Sequence, residues 1–427
     1  MEKVTRFLEE QRLRSSDIDI EIMVGVFTEE MIKGLEGKES SLRMIPTYIE
    51  AENDFLTEVP VLAIDAGGTN FRAALIRFSP TGNIKYDRIV NYRMPGLEKE
   101  ISAKEFFGTL AGYIRPLAER TARIGFCFSY PTEILPDRDG RLIQFCKEVQ
   151  APEVVGQLIG KNLLETLGTP EKHLVLLNDT VATLLAGKSA SLKKTYDSFI
   201  GYILGTGTNT CYIEHNCNIT KNKSLHQDRS QIINIESGNF GRAPRRDLDL
   251  VFDSSTMNPG NYAFEKMFSG GYFGGLCLTV LKAAATKGLI SGMASDRLNK
   301  ISELTTGEAN NFVANMNSAD NILLDCFTEE QDRRVSAYII DTLIDRAAKL
   351  VAANIAAVVL KTGKGTSPER PVLITIDGTT FYKLHNLNIR FEKYFSEFLD
   401  GERRRYVEFT EVEQSSLIGA ALAGLID

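Results

Sequence analysis

Two short turns that combine glycine with threonine and asparagine each follow an apolar, strand-like run. The first covers residues 65–70, Asp-Ala-Gly-Gly-Thr-Asn, and the second covers residues 205–209, Gly-Thr-Gly-Thr-Asn. Glycine exposes backbone N–H groups, and threonine and asparagine add side-chain donors beside them, which together can bind phosphate oxygens. A single turn of this kind usually serves only to reverse the chain, but two at equivalent places predict a phosphate site.

The residues after each turn exclude two common glycine-rich phosphate motifs. A P-loop and a dinucleotide fingerprint both need a helix directly after the glycines, because the helix N-terminus binds the phosphates. Here residues 71–78 and 210–215 are strand-like, and the chain contains no G-x-x-x-x-G-K-[ST] sequence. Both turns are therefore predicted to be β-hairpin turns.

Two aspartates stand where apolar strands end. Asp65 follows residues 61–64. A carboxylate there is costly unless it has a partner, so it either contacts Mg²⁺ through water or caps its own turn. Asp179 follows the strand 174–177 and precedes a predicted helix over 180–188. Local sequence alone makes Asp179 a helix N-cap, whereas beside bound phosphates it could accept the proton of an attacking hydroxyl.

The elements that must position these residues occur twice in the same order. Each unit is predicted to have three strands, with the glycine turn between the first two, followed by helical sequence. The strands are 61–64, 71–78 and 84–92 in the first unit, and 198–204, 210–215 and 231–236 in the second. The helices include one opened by the Ser102-x-x-Glu105 capping box, one over 263–287, and one from Thr328 to about Lys361. Further strands are predicted at 124–129, 174–177 and 372–376. This order predicts an internal duplication.

Composition narrows the class of protein. A chain of 427 residues is too long for one ordinary core, so two domains are expected. The net charge of -7 argues against a surface devoted to nucleic acid or to an anionic membrane. The most apolar stretch, 350–360, is too short to cross a bilayer and contains Asn354. The scattered cysteines and histidines predict a reduced, cytoplasmic protein without a transition-metal site.

Nine segments of the chain resemble motifs of the hexokinase family, in the family order. They are LRMIPTY 42–48, LAIDAGGTNFRAAL 62–75, GFCFSYP 125–131, LNDTVATLL 177–185, GTGTNTCY 205–212, NIESGNFG 234–241, FEKMFSG 264–270, DGT 377–379 and GAA 419–421. The resemblance implies an α/β fold of duplicated actin-like, ribonuclease H-like ATPase domains, in two lobes with an interdomain cleft. It also implies a small domain of residues 57–178 plus 413–427 and a large domain of residues 1–56 plus 179–412.

The resemblance further implies an ATP-dependent kinase that phosphorylates the 6-hydroxyl of glucose or a related hexose. Its catalytic residues would be Asp179, as the general base, and Lys147. Its sugar ligands would be Ser129, Cys146, Lys147, Asn178, Asp179, Asn209, Glu236 and Glu265. Its ATP ligands would be Asp65, Gly67, Gly68, Thr69, Asn70, Arg72, Thr206, Gly378, Thr379 and Gly419, with Asp65 reaching Mg²⁺ through water.

The chain departs from the family pattern at several of these motifs. Cys146 stands where the family carries a sugar-binding threonine, and a thiol is a weaker donor than a hydroxyl. Ser237 stands where the family usually carries tryptophan, and the chain has no tryptophan at all. Leu417 and Ile418 replace a glycine and a basic residue. The first departure bears on which hexose is preferred.

Other functions remain open at the level of sequence. The enzyme could instead phosphorylate another sugar, such as an N-acetylhexosamine, or the chain could be a catalytically weak sugar sensor. An actin-like filament or chaperone ATPase would share the hairpins but would have no use for Asn178, Asp179, Glu236 and Glu265. The expected partners are hexose and ATP, and both a monomer and a homodimer fit the sequence.

Overall fold

Two β-sheets divide the chain into two lobes. The computed structural model describes residues 1–50, 55–145, 149–190, 194–315 and 321–426. The strands of this part are β1 Ile45–Pro46, β2 Val61–Gly67, β3 Asn70–Phe78, β4 Ile84–Arg93, β5 Arg123–Phe128, β6 Thr132–Ile134, β7 Gly140–Leu142, β8 His173–Leu177, β9 Ser198–Leu204, β10 Thr208–His215, β11 Ser230–Asn234, β12 Val372–Asp377 and β13 Val407–Thr410. The helices are α1 Glu2–Glu10, α2 Ile20–Glu36, α3 Ala103–Ala118, α4 Ile159–Leu167, α5 Asp179–Ala190, α6 Asp247–Ser254, α7 Phe273–Thr286, α8 Gly292–Asn299, α9 Thr306–Ala314, α10 Ile322–Cys326, α11 Glu330–Thr362, α12 Thr379–Lys383, α13 Leu387–Phe398 and α14 Ser415–Leu425.

The two sheets share one topology. The strand order is β4-β3-β2-β5-β8 in the small lobe and β11-β10-β9-β12-β13 in the large lobe, where β1 is added beside β11. In each sheet the first three strands of the unit are antiparallel, and the last two run parallel to the first. The chain is therefore an internal duplication of a five-stranded α/β unit, and the predicted two-lobed, actin-like fold is confirmed.

Both glycine turns are β-hairpin turns, as predicted. In the small lobe Gly67 pairs with Asn70, so the turn consists of Gly68 and Thr69. Gly68 has φ +61°, a left-handed conformation that glycine adopts without a steric penalty. In the large lobe Leu204 pairs with Thr208, and the turn covers residues 205–207.

Two helices that are rich in small residues join the lobes. Helix α14 packs on β2, β5 and β8 of the small lobe, α5 packs on β9 and β12 of the large lobe, and the two helices pack on each other. A Cβ at Gly125 would lie 1.6 Å from the carbonyl oxygen of Ala420, and one at Gly419 would lie 1.9 Å from that of Ala182. Only glycine therefore permits these backbones to approach so closely. The expected domain boundaries at residues 57, 178 and 412 stay a prediction.

Several predicted element boundaries need correction. The helix expected over 263–287 begins only at Phe273, because Glu265 lies in a separate 3₁₀ turn, Glu265–Met267. Helix α11 begins after Glu329 without a side-chain cap, so Thr328 does not open it. The third strand of the second unit ends at Asn234, which leaves Glu236 in a turn. The Ser102 cap of α3 is confirmed by a hydrogen bond of 3.2 Å from the Glu105 amide.

Candidate active site

The candidate site lies where parallel strands of each sheet end, because the carboxyl ends of such strands meet at one edge. In the small lobe β2 ends at Gly67, β5 is followed by Ser129, and β8 is followed by Asn178. The Ser129 amide donates to the carbonyl of Ala66 at 3.0 Å. A Cβ at Gly67 would lie 2.9 Å from the Ser129 Cβ. The first hairpin and the proposed sugar serine are thus in direct contact.

Three amides and one carboxylate form a hydrogen-bonded cluster, the amide cluster, which includes three of the predicted sugar ligands. The Asn209 Nδ2 lies 3.5 Å from the Asn178 Oδ1, 2.8 Å from the Asn234 Oδ1 and 3.4 Å from the Glu236 Oε1. The Asn234 Nδ2 also donates to the Glu236 Oε1 at 2.8 Å. These groups can accept and donate hydrogen bonds together, as the several hydroxyls of a sugar require. Asn234 lies in the NIESGNFG motif, but the motif alone does not indicate its contacts with Asn209 and Glu236.

Glu265 contacts the second hairpin, although it lies 57 positions from Thr208 along the chain. Its Oε2 accepts the Thr208 amide at 2.8 Å. A Cβ at Gly207 would lie 2.6 Å from this oxygen, and one at Gly238 would lie 3.0 Å from it. The missing side chains at 207 and 238 therefore make room for the carboxylate. The Glu265 carboxylate, a predicted sugar ligand, is therefore held against the predicted phosphate hairpin.

Asp179 combines a helix start with an environment that favours its protonated form. The Thr180 amide lies 2.9 Å from the Asn178 Oδ1 and 2.8 Å from the Asp179 Oδ1, so Asn178 shares the capping that local sequence assigned to Asp179. Burial, together with the negative charges of Asp65 and Glu236, raises the pKa of Asp179 from its ordinary 3.8 to about 6. A carboxylate with that pKa can accept a proton near neutral pH.

Asp65 has a partner that neither sequence interpretation included. Its Oδ2 accepts the Arg72 Nε at 3.0 Å and is ion-paired with the same guanidinium, which faces it across the hairpin. The same oxygen accepts the Ser416 hydroxyl at 2.9 Å. The next serine, Ser415, donates to the carboxylate of Asp377 at the end of β12. The start of α14 therefore contacts strand-end carboxylates of both lobes, and these two serines were missed because no local pattern marks them.

The donor set suits Mg²⁺ held mainly by phosphates and water. Among the residues that the structure describes, no group of three or more His, Cys, Asp or Glu side chains could hold a metal ion. A single strand-end carboxylate such as Asp65 fits an ion that keeps several of its waters and binds the substrate's phosphates. Asp65, which is almost fully buried, lies at the end of β2 beside the first hairpin.

The remaining predicted ATP residues fall into two groups. Thr69, Asn70 and Arg72 lie in or beside the first hairpin, and Thr206 lies in the second, where its carbonyl accepts the Gly271 amide at 2.8 Å. Gly378 has φ +116°, and a Cβ there would lie 2.3 Å from the carbonyl oxygen of Leu204. It therefore lies against the start of the second hairpin, and Thr379 begins α12 directly after it.

Three further predicted site residues are Gly419, Cys146 and Lys147. Gly419 is buried in α14, where its missing side chain lets the helix pack against Ala182, and its contact with adenosine stays a prediction. Cys146 and Lys147 lie outside the described residues. Whether each of the other residues binds ligand stays a prediction.

A separate pocket of about 350 Å³ lies at the opposite ends of α5 and β9, beside Lys188 and Ser198. Asp179 stands at the start of α5 and the second hairpin follows the end of β9, so each of these two elements extends from the candidate site to that pocket. The pocket is therefore not the candidate active site.

Among the helices of the described residues, none combines the length and the apolar character that a membrane span requires.

Comparison with known proteins assigns the two parts of the chain to one family. Two family models described as Hexokinase match residues 3–189 and residues 199–426. Hexokinase-3 of Rattus norvegicus is 30% identical over 97% of this chain, which spans only 46% of the length of that relative. Hexokinase-7 of Oryza sativa subsp. japonica is 28% identical over 92% of this chain and 90% of its own length. The solved hexokinase from Schistosoma mansoni complexed with glucose matches with a TM-score of 0.80 at 24% identity, over 99% of this chain and 98% of that one, which supports the same fold.

Proposed function

Because the chain belongs to the hexokinase family, we propose that it transfers the γ-phosphoryl group of ATP to the 6-hydroxyl of glucose or of a related hexose. The observation that carries the proposal is the environment of Asp179. This carboxylate, with its pKa raised to about 6, lies next to Asn178 of the amide cluster. In a phosphoryl transfer the protein mainly positions the reactants and stabilises charge. One carboxylate near the attacking hydroxyl is needed to accept its proton.

The amide cluster and the two glutamates would bind the sugar. Glu236 and Glu265 accept hydrogen bonds from hydroxyls, while Asn209 can donate from an amide whose oxygen is already engaged by two backbone N–H groups. Several fixed polar partners give selectivity, because a sugar that lacks a hydroxyl leaves a buried group unpaired. Ser129 and the residues Cys146 and Lys147 would complete the site from the small lobe.

Asp179 would act as the general base. As the hydroxyl oxygen attacks phosphorus, its proton passes to the carboxylate, and the bond to the leaving ADP oxygen breaks. The hairpins at 67–70 and 205–207 would hold the phosphates through backbone N–H and threonine donors. Mg²⁺, when bound, offsets charge on the phosphate oxygens, and Asp65 would orient its waters. Closure of the lobes would exclude water that otherwise hydrolyses ATP.

The proposal is tested by ADP release with Mg²⁺-ATP against glucose, mannose, fructose and N-acetylhexosamines. We expect turnover that depends on an added hexose, and the preferred sugar shows whether Cys146 tolerates glucose. If an N-acetylhexosamine is preferred, the proposed substrate becomes an amino sugar in place of glucose. ATP turnover without any sugar would favour an ATPase. Silence with all sugars would contradict the proposed function.

A variant pair tests the base itself. Asp179→Asn keeps an acceptor for the Thr180 amide but cannot take a proton, so we expect kcat to fall by roughly 10²–10⁴-fold with little change in the KM for ATP. Asp19→Asn is the control, because Asp19 is also an aspartate at a helix start and caps α2 in an exposed position. If Asp179→Asn retained near-normal hexose-dependent turnover, the assignment of the base would be wrong.

A further inference from the structure

Three buried polar side chains lie next to the amide cluster of Asn178, Asn209, Asn234 and Glu236. They are Thr210 on β10, Ser237 after β11, and Asn354 in the middle of α11, and each has a relative exposure of 0%. The Asn354 Nδ2 donates to the Thr210 Oγ1 at 2.9 Å, and the Thr210 and Ser237 hydroxyl oxygens lie 3.0 Å apart. None of the three belongs to the proposed set of ligands.

Asn354 is out of place by the ordinary rules of packing. It lies within the most apolar stretch of the chain, and its flanking residues on α11 are buried alanine and isoleucine. Its Oδ1 is buried and has no hydrogen-bond partner among the described residues. A buried acceptor without a partner costs stability, so an apolar residue of similar size would serve the core better. The contribution of Asn354 must therefore come from the N–H that it donates to Thr210.

Two residues of this hydroxyl network also contact Asn209, a proposed sugar ligand, through their backbone amides. The backbone amides of Thr210 and Ser237 donate to the Asn209 Oδ1 at 2.7 Å and 3.2 Å. They fix the orientation of this amide, because its oxygen is engaged and its nitrogen must point toward Asn178, Asn234 and Glu236. The contact between the two hydroxyls joins strand β10 to the turn that follows β11.

That turn carries Glu236 in an unfavourable backbone conformation. Glu236 has φ +61° and ψ +48°, a left-handed conformation that a residue with a side chain adopts only when its surroundings enforce it. Ser237 is the next residue, and its hydroxyl is anchored on Thr210. It also stands where the family usually carries tryptophan, whose ring could not make this hydroxyl contact. Loss of the anchor would let the turn relax and move the Glu236 carboxylate away from the cluster.

We propose that Thr210, Ser237 and Asn354 are positioning residues that hold the Asn209 amide and the left-handed Glu236 turn in the geometry that binds the hexose. They act through Asn209 and Glu236 and touch neither substrate. The inference rests on the proposed function for its sugar-binding readout. Loss of the network should weaken hexose binding, whereas ATP binding depends on the hairpins and should not change.

The kinetic test compares Thr210→Val, which keeps shape and β-branching but loses the hydroxyl, with Thr210→Ser, which keeps the hydroxyl. We expect Thr210→Val to raise the KM for hexose about tenfold or more, with kcat changed by less than about threefold and the KM for ATP unchanged. Thr210→Ser should restore the KM to within about twofold of wild type. Ser336→Ala is the control for the loss of a buried hydroxyl, and it should leave the KM for hexose unchanged. Ser336 on α11 is as fully buried as Thr210, but its hydroxyl has no partner among the described residues.

Asn354→Leu separates positioning from packing. It removes both the donor to Thr210 and the unpartnered Oδ1, so it should raise the KM for hexose while the melting temperature stays equal or rises. A lower melting temperature with an unchanged KM for hexose would show a purely structural role and overturn the proposal. An unchanged KM for hexose in Thr210→Val would overturn it as well.

A crystal structure of Thr210→Val without ligand gives a result that does not depend on activity. We expect Glu236 to leave its left-handed conformation or the Asn209 amide to lose its contact with the Glu236 carboxylate. If both features persist, the positioning role is wrong, whatever the kinetics show. If wild-type protein shows no hexose-dependent turnover, the proposed function fails, and this structure still decides the positioning role.

Discussion

Asp179→Asn should make the protein more stable above pH 6 while it removes activity. The raised pKa means that ionised Asp179 is disfavoured in the folded protein relative to the unfolded chain. A group of this kind supports the folded state fully below its unfolded pKa, and the support is lost as pH rises through the folded pKa. For Asp179 that window extends from its ordinary value of 3.8 to about 6.

The size of the effect follows from the two pKa values. Relative to a neutral asparagine, wild-type protein should lose about 1.5 kcal/mol of unfolding free energy by pH 5 and about 3 kcal/mol by pH 7, with no further change above. Asparagine keeps an oxygen that can accept the Thr180 amide, which lies 2.8 Å from the present carboxylate. The variant therefore loses the charge without losing this contact.

Urea unfolding of both proteins at pH 5, 6, 7 and 8 measures the gap. Asp19→Asn is again the control, because asparagine caps a helix as well as aspartate does, and it should stay within about 0.5 kcal/mol of wild type. A gap that does not grow between pH 5 and pH 7 would refute the raised pKa. A variant less stable than wild type at pH 7 would refute the view that burial of the charge is the dominant cost.

Three further predictions concern catalysis and packing. Hexose-dependent kcat/KM should fall about tenfold per pH unit below about pH 6, as protonation of Asp179 removes the base, and a flat profile to pH 5 in the coupled assay would contradict this. Gly125→Ala should cost more than about 3 kcal/mol in urea unfolding, since its Cβ would lie 1.6 Å from a backbone oxygen of α14. The control Gly108→Ala, on α3 with open space around it, should be neutral or stabilise by up to about 1 kcal/mol. Arg346→Met on α11 should lower the free energy of unfolding by about 3–5 kcal/mol, because it leaves the buried carboxylate of Asp249 on α6 without its cationic partner. Arg334→Met, which breaks an exposed ion pair on α11, should lower it by less than about 0.5 kcal/mol. Equal losses in urea unfolding for the two variants would contradict the view that burial makes the Arg346 pair the more costly one to break.

Local backbone chemistry made the hairpins and most strand limits predictable from the sequence. Glycine marks several of the positions where φ is positive or where two backbones meet closely, and buried parallel strands are continuous apolar runs. Residues 198–204 accordingly form β9 as expected, and the Ser102 cap opens α3. The order of strands and turns also predicted the duplication. The family motifs predicted which residues bind ligands, and those roles stay predictions.

The start of α7 is one place where the sequence prediction was wrong. The predicted helix over 263–287 includes Ser269, Gly270 and Gly271, a run typical of turns, and the helix begins only after it, at Phe273. Glu265, before that run, lies in a 3₁₀ turn. The carboxylate there accepts the Thr208 amide and fills the space beside Gly207. The glycine run accounts for the late start of the helix, whereas the contact of Glu265 with a strand 57 residues away could not be predicted from local sequence.

The order of apolar runs and glycine turns along the chain was enough to predict the duplicated fold and the two hairpins. How the polar residues of the candidate site pair and titrate follows only from the folded arrangement. The contact of Asp65 with Ser416 joins residues 351 positions apart, and that of Thr210 with Asn354 joins residues 144 positions apart. The pKa of Asp179 depends on burial and on the charges of Asp65 and Glu236 from other segments. Such properties arise from distances through space, which neither the composition nor the spacing of residues along the chain encodes.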